Sequence, residues 1–240
     1  MDIRFRQNCR EFLGRLVLPS RCLVCGKESG CGSPLCFSCH ESFLLARSAS
    51  ISVQGQIPGR CDRCGRPLVS AKGFCIECRE SAALSSIDRI MPLFPYTAEG
   101  QSLLTSWKVM GRRGLTELFA ECLALTIART PGMTVIPVPP RPGKIRERGW
   151  DQIEDIALCL ERRFGITVSR CLERHSSVQQ KKLGKLARTV NMRGAMVYAG
   201  VHPAPQSAIL IDDLMTTGAT LDACSEALKI AGCGNVCGLT

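Results

Sequence analysis

The chain holds 240 residues at 26.1 kDa, enough for one ordinary domain with a small companion or for two modest domains. Its 45% apolar and 22% charged content excludes a wholly disordered chain, and no apolar run approaches the ~20 residues of a membrane helix. A net charge of +10 points to anionic partners, either a phosphorylated small molecule or nucleic acid, without choosing between them.

The N-terminus opens Met-Asp-Ile-Arg-Phe-Arg, with neither an apolar h-region nor a small-residue cleavage site, so the expected location is cytoplasmic. Over 1–19, Phe5, Cys9, Phe12, Leu13, Leu16 and Val17 recur at helical spacing and Pro19 ends the run, which predicts an amphipathic helix. Its apolar stripe is short and its basic residues are arginines. That suits docking on the protein's own body better than lying on a membrane, and no membrane insertion is expected.

Ten of the sixteen cysteines fall in the first third of the chain. Cys22, Cys25, Cys36 and Cys39 recur as Cys61, Cys64, Cys75 and Cys78, each shifted by 39 positions, so residues 20–80 hold two copies of one unit. Each CxxC forms a tight turn offering two thiolates, and two such knuckles complete a tetrahedral Zn²⁺ site. Four CxxC pairs in register argue for metal over disulfides or buried thiols in a cytosolic chain. Such closed sites are structural, and a segment this poor in large apolar residues depends on them to fold. Pairing within a copy and exchange of knuckles between copies both satisfy the spacing. Cys31 has no counterpart in the second copy and receives no role. The six later cysteines stand singly and read as small buried hydrophobes.

Beyond residue 87 strand-like and helix-like runs alternate. Strands are predicted over 90–96, 134–138, 195–198, 208–211 and 235–239, and helices over 101–110, 115–128, 151–164 and 219–231. Pro92 and Pro95 place the first strand at an edge. This alternation predicts an α/β fold with a mostly parallel sheet. Residues 141–193 carry 13 Lys/Arg against 6 Asp/Glu, whereas 194–240 carry 1 against 4.

The sharpest motif is Ile-Leu-Ile-Asp-Asp-Leu-Met-Thr-Thr-Gly-Ala-Thr over 209–220. Open α/β sheets bind ligands at the carboxyl ends of their strands. Thr216, Thr217 and Thr220 offer hydroxyls beside the N–H groups of a helix start, and Gly218 lets the backbone close in, which makes a phosphate cradle. Asp212 and Asp213 stand just before it, placed to accept hydrogen bonds from ribose hydroxyls next to a 5′-phosphate. Helix capping alone would explain one threonine, but not two acids, three threonines and a glycine together.

This loop matches the phosphoribosyl pyrophosphate (PRPP) signature of type I phosphoribosyltransferases. With the cysteine repeat, the chain resembles the competence protein F (ComF) family, in which a zinc-ribbon segment precedes a phosphoribosyltransferase domain. Leu16-Val-Leu-Pro19, Trp107-Lys108, the stretch from Val135 to Pro139, Arg146-Glu-Arg-Gly-Trp-Asp-Gln152, and Gln180, Arg188 and Asn191 carry the rest of the likeness. Asp151 stands where the family has Asn, and Trp150 where it has Phe or Tyr. A few residues are expected after the last strand, and the chain ends at Thr240.

The resemblance implies a helix over 1–19, a double zinc ribbon over 20–80 and a type I phosphoribosyltransferase-like sheet over 87–240. It implies PRPP with Mg²⁺ as ligand, and transfer of its phosphoribosyl group (a pentosyl, glycosyltransferase reaction) to an unspecified acceptor. Asp212 and Asp213 would hold the ribose hydroxyls, and Thr216, Thr217, Gly218, Ala219 and Thr220 the 5′-phosphate. The turn at Pro139, Pro140 and Arg141 would face the pyrophosphate, with Lys108, Arg146 and Arg148 to neutralise it. The basic stretch 173–193, including Arg188, would be a lid; exposed surface and a nucleic-acid contact are its other readings. A second class of function stays open: a non-catalytic competence factor that binds single-stranded DNA with the DNA-uptake machinery in natural transformation. The basic stretches lack interleaved aromatic residues, which weighs against it. Residues 85–240 alone are expected to fold and bind PRPP, with the zinc module serving the second substrate.

Overall fold

Ala208, Ile209, Leu210 and Ile211 form an apolar run with no alternation, the pattern of a strand buried on both faces of a helix-covered parallel sheet. In the computed structural model, which describes residues 20–30, 33–48, 59–68, 73–80, 84–94, 98–141, 143–175 and 195–240, all four are fully buried. The elements in chain order are β1 (Ser20–Arg21), β2 (Glu28–Ser29), α1 (Phe37–Ser48), α2 (Ile76–Glu80), β3 (Arg89–Met91), α3 (Ala98–Lys108), α4 (Leu115–Ile127), β4 (Thr134–Pro137), α5 (Lys144–Arg148), α6 (Gln152–Phe164), β5 (Leu172–Arg174), β6 (Met196–Tyr198), β7 (Ser207–Ile211), α7 (Ala219–Ile230) and β8 (Asn235–Leu239). The predicted helix over 1–19, and with it Cys9, lies outside the described residues, as does Cys31. Two compact units emerge from the packing, one drawing on residues up to 50 and on Phe94–Phe119, the other on Ile51–Leu93 and Ala120–Thr240.

In the first unit β1 and β2 pair antiparallel, and a small aromatic core forms beside α1 and α3. Phe43 stacks on Phe94 with centroids 4.0 Å apart and meets Phe119 edge-on at 6.1 Å. Trp107 lies 4.8 Å from Phe119 and donates its buried indole N–H to Thr116 Oγ1 at 3.0 Å, so its one polar atom is satisfied.

In the second unit the strands run in the order β3-β8-β7-β4, all neighbours parallel, as the alternation predicts. β3 is an edge strand, in keeping with its prolines, and it stops at Met91 because Pro92 has no N–H to continue the ladder. Past the strand ends the carboxyl edge stays knitted. Val138 donates to Ile211 O at 3.1 Å, Asp212 to Leu239 O at 3.1 Å, and Leu93 to Thr240 O at 2.7 Å.

On α6 the buried Ile153, Ile156, Ala157 and Leu160 form one stripe at 3.6-residue period facing β4. Asp151 caps this helix, its carboxylate accepting from Ile153 N at 3.0 Å and Glu154 N at 3.4 Å. That role needs only an acceptor, so aspartate in place of the family's asparagine loses nothing as a cap. β5 and β6 pair antiparallel, and their Leu172 and Met196 join a core cluster with Ile136, Leu210 and Leu221. β5 is an addition to the predicted elements: residues 172–174 read as the start of a basic loop because a three-residue strand with one apolar side chain leaves no periodicity. Gln180, Lys181, Lys182, Lys185, Arg188, Asn191 and Arg193 of that stretch lie outside the described residues.

The second cysteine copy belongs to this same core. Cys61, Cys64 and Cys78 are buried in one cluster with Leu84, Ile90, Leu210 and Leu221. Cutting the chain near residue 80 would strip that cluster and bare Leu84 and Ile90. The packing is therefore at odds with the expectation that 85–240 folds alone.

The connection after the second copy is pinned by Asp222, 4% exposed, which accepts the backbone N–H groups of Ser86 at 2.8 Å and Ile87 at 2.9 Å. Replacing it leaves two donors without a partner inside the fold, and hydrogen bonds to a charged group are worth about 1.5–3 kcal/mol each. Asp222→Ala should lower the unfolding free energy by at least about 2 kcal/mol in urea titration, and Asp222→Asn, which keeps one oxygen, by less. An Ala variant as stable as the parent would contradict this account of the connection.

Candidate functional site

Two cysteine clusters are the most sharply built polar sites among the described residues. Cys22, Cys25, Cys36 and Cys39 bring their sulfurs within 4.8 Å of one another in the first unit, and Cys61, Cys64, Cys75 and Cys78 do so in the second. Sulfurs thus gather within each copy and are not exchanged between copies. The backbone repeats with them. Cys22 N donates to Lys27 O and Cys61 N to Arg66 O, both at 2.8 Å; Gly26 N returns to Cys22 O and Gly65 N to Cys61 O, both at 2.9 Å. Leu23 N to Pro34 O at 2.9 Å and Asp62 N to Gly73 O at 3.1 Å bind each knuckle to its partner segment.

Sγ–Sγ distances of 3.6 Å for Cys25 and Cys36 and 3.8 Å for Cys64 and Cys75 match the ~3.8 Å spacing of sulfurs around a tetrahedral ion with Zn–S near 2.3 Å. The donor set is all sulfur, four to a site, with no open position. Both sites fit structural zinc.

Without a metal the crowded thiols divide. The Ser38 hydroxyl and the Cys39 backbone draw Cys36 down to about 6, whereas burial and its three sulfur neighbours push Cys39 up to about 12. In the second cluster burial raises Cys61, but backbone hydrogen bonds at Cys64, Cys75 and Arg63 outweigh it and bring the thiol to about 7. Cys64 rises to about 11 and Cys78 higher still, chiefly through burial. A divalent ion resolves the conflict by letting all four ionise.

The strand-to-helix loop after β7 lies in the second unit. Asp212 and Asp213 are half-buried at the strand end, where Asp212 Oδ1 accepts the Asp213 N–H at 2.8 Å. Thr216 and Thr217 are exposed, and Thr217 Oγ1 accepts the Ala219 N–H at 3.4 Å. Gly218 suits its φ of +76°, a conformation strained for other residues, and a Cβ there would lie 2.6 Å from Leu84 Cδ2, at the tip of that side chain. Being glycine, it also gives α7 no side-chain cap. A cavity of about 450 Å³ opens against this loop, lined by Met215, Thr216 and Thr217 together with Arg66, Glu77 and Leu84.

Other predicted residues scatter. Pro139, Pro140 and Arg141 follow β4 at the same carboxyl edge, beside the end of β7. Arg146 is exposed on the five-residue α5. Lys108 ends α3 in the first unit, half-buried next to the core Trp107. Arg188 lies outside the described residues. Sequence reasoning missed Arg174 at the end of β5. Burial lowers its guanidinium, and it feels both Asp212 and Arg141. A single arginine within a basic stretch gave no signal for it. Arg66 and Glu77 were equally hidden, as ordinary charges between cysteines.

Fold and sites together define an α/β protein built on a parallel sheet and carrying two structural four-cysteine centres. No family model matches the chain. It is similar to the competence protein ComFC of Streptococcus pneumoniae (strain ATCC BAA-255 / R6), with 24% identity over 144 residues, 60% of this chain and 63% of the relative. The ComF resemblance read from the motifs thus has a distant curated homologue of that name. The match spans less than two thirds of that relative's length. No helix among the described residues is long and apolar enough to cross a membrane.

Metal analysis of the purified chain should give two zinc ions per molecule, since each cluster is complete within its own copy. Cys22→Ser and Cys61→Ser should each remove one ion and leave the other. A single zinc in the parent protein, or loss of both ions in either variant, would contradict two separate centres.

Proposed function

We propose that the chain binds PRPP with Mg²⁺ through a type I phosphoribosyltransferase-like domain over 87–240, and transfers the phosphoribosyl group to an acceptor. The observation that carries this reading is the loop 212–220, in which two acids, the threonines and a tightly enclosed glycine join a central parallel strand to a twelve-residue helix. Its place at the carboxyl edge of the sheet supports a ligand site. A dianionic 5′-phosphate suits the helix start, where Thr216, Thr217 and Thr220 add hydroxyl donors and Gly218 and Ala219 their backbone. Asp212 and Asp213 then accept from the ribose hydroxyls.

Mg²⁺ takes oxygen ligands, which the two carboxylates and the ligand's own phosphates supply, and its chemistry here is to neutralise the leaving pyrophosphate. As the anomeric bond breaks, positive charge grows on the ribose and negative charge on the pyrophosphate. Arg141 and Arg146, and Arg188 by its place in the sequence motif, are the proposed cations for the latter, and preorganised charge of this kind lowers the barrier to departure. The lid over 173–193 would exclude water from a hydrolysable donor. A cytoplasmic setting accords with this, because eight ligating thiols have to stay reduced.

A second reading is a competence factor that binds single-stranded DNA, favoured by the name of the similar protein and by the +10 charge. The two readings part in one experiment. PRPP with Mg²⁺ should raise the melting temperature, because a ligand that binds only the native state stabilises it by roughly 2.7 kcal/mol at a hundredfold excess over Kd. Asp212→Asn with Asp213→Asn should abolish the shift. No shift in the parent protein, alongside single-stranded DNA binding that weakens steeply with salt, would leave the second reading standing.

A further inference from the structure

The two cysteine copies share a backbone pattern but not their surroundings. In the second copy, a Cβ on Gly65 would lie 2.3 Å from Pro92 Cδ and 3.1 Å from Ile90 O, and Ile90 donates its N–H to Arg63 O at 2.6 Å. The knuckle is therefore wedged against the end of the edge strand. Gly26, its counterpart in the first copy, has open space among the described residues. The wedge holds the next residue, Arg66, in the wall of the 450 Å³ cavity that also contains Thr216 and Thr217.

Arg66 forms an ion pair with Glu77, which shares that wall. Both side chains keep substantial exposure, 44% and 68%, so the pair is open to a competing anion. Leu84 and Met215 add apolar lining to the cavity. A zinc ion held by four thiolates carries two net negative charges. An anion approaching the threonines from this side would meet that charge, and Arg66 is the cation in the cavity lining placed to offset it.

We infer that the second zinc knuckle is part of the ligand site, with Arg66 the residue that binds the phosphate of a phosphorylated sugar seated on Thr216 and Thr217. This rests on the phosphoribosyl reading above and extends it to the zinc module. The planar guanidinium grips a phosphate through two parallel N–H bonds, which lysine cannot reproduce, and the cavity volume falls within the ~300–1,000 Å³ usual for small-ligand sites. Glu77 orders Arg66 in the free protein and competes with the phosphate for it.

The test is calorimetric titration of the zinc-loaded full chain with ribose 5-phosphate and, separately, with PRPP and Mg²⁺. Arg66→Ala should weaken both ligands about tenfold or more while two zinc ions remain bound, and Arg66→Lys should restore only part of the loss. Glu77→Gln should tighten ribose 5-phosphate severalfold by releasing the arginine. Unchanged affinities in Arg66→Ala would overturn the inference and leave the phosphoribosyl reading intact. Absence of binding in the parent protein would instead sink that reading and this inference with it. If Arg66→Ala loses zinc, the Glu77→Gln titration decides alone: an unchanged affinity overturns the proposal.

Discussion

The extension of the ligand site to the zinc module depends on one steric fit, the wedging of the second cysteine knuckle into the carboxyl edge of the sheet. Gly65 has no room for a side chain beside Pro92, and Gly218 packs against the tip of Leu84 at a positive φ. Between these contacts Cys61, Cys64 and Cys78 share a buried cluster with Ile90 and Leu221. Close-packed interiors transmit displacement, because no void absorbs it. A zinc ion at this centre would therefore do more than tie off a small ribbon. It would hold the cluster in which Leu84 is packed, and Leu84 lies against Gly218, before the helix on which the phosphate is proposed to rest.

The repeat shows how one local chemistry takes two roles. Spacing by 39 residues reproduces the knuckle hydrogen bonds almost atom for atom, since four thiolates around one ion leave the intervening backbone few alternatives. What differs is the surface presented outward. The first copy carries Lys27 after its glycine, in a unit whose described core is aromatic, around Phe43, Trp107 and Phe119. The second carries Arg66 at the same place, in the unit that holds the sheet and the loop 212–220. The repeat holds two candidate metal centres, and among the described residues the second lines the cavity at the loop.

Much of this was legible from residue order. The cysteine spacing announced both centres, and the run from Ala208 to Ile211 announced a central parallel strand, because these signals are local and strongly constrained. Asp151 read as a departure from a family motif and turned out to be a helix cap, a role that asparagine and aspartate fill alike. The strand at Leu172–Arg174 was not legible, since its pairing with Met196–Tyr198 is a contact across an intervening segment. Arg66, Glu77 and Arg174 were hidden for the same reason: each looks like ordinary surface charge until the fold brings it to the sheet edge. The buried cysteines that pack on Leu84 and Ile90 weigh against the proposed independence of residues 85–240, and the short connection conceals them in the sequence.

Hydrogen exchange on the full chain tests the central coupling most directly. Cys64→Ser with Cys78→Ser removes two ligands of the second centre and leaves the first intact. Amides of 213–220 and of 86–91 should then exchange markedly faster than in the parent protein, while those of 152–164 remain protected. Faster exchange confined to 59–80, with the loop 213–220 as protected as before, would show that the zinc knuckle and the proposed ligand site are separate structures.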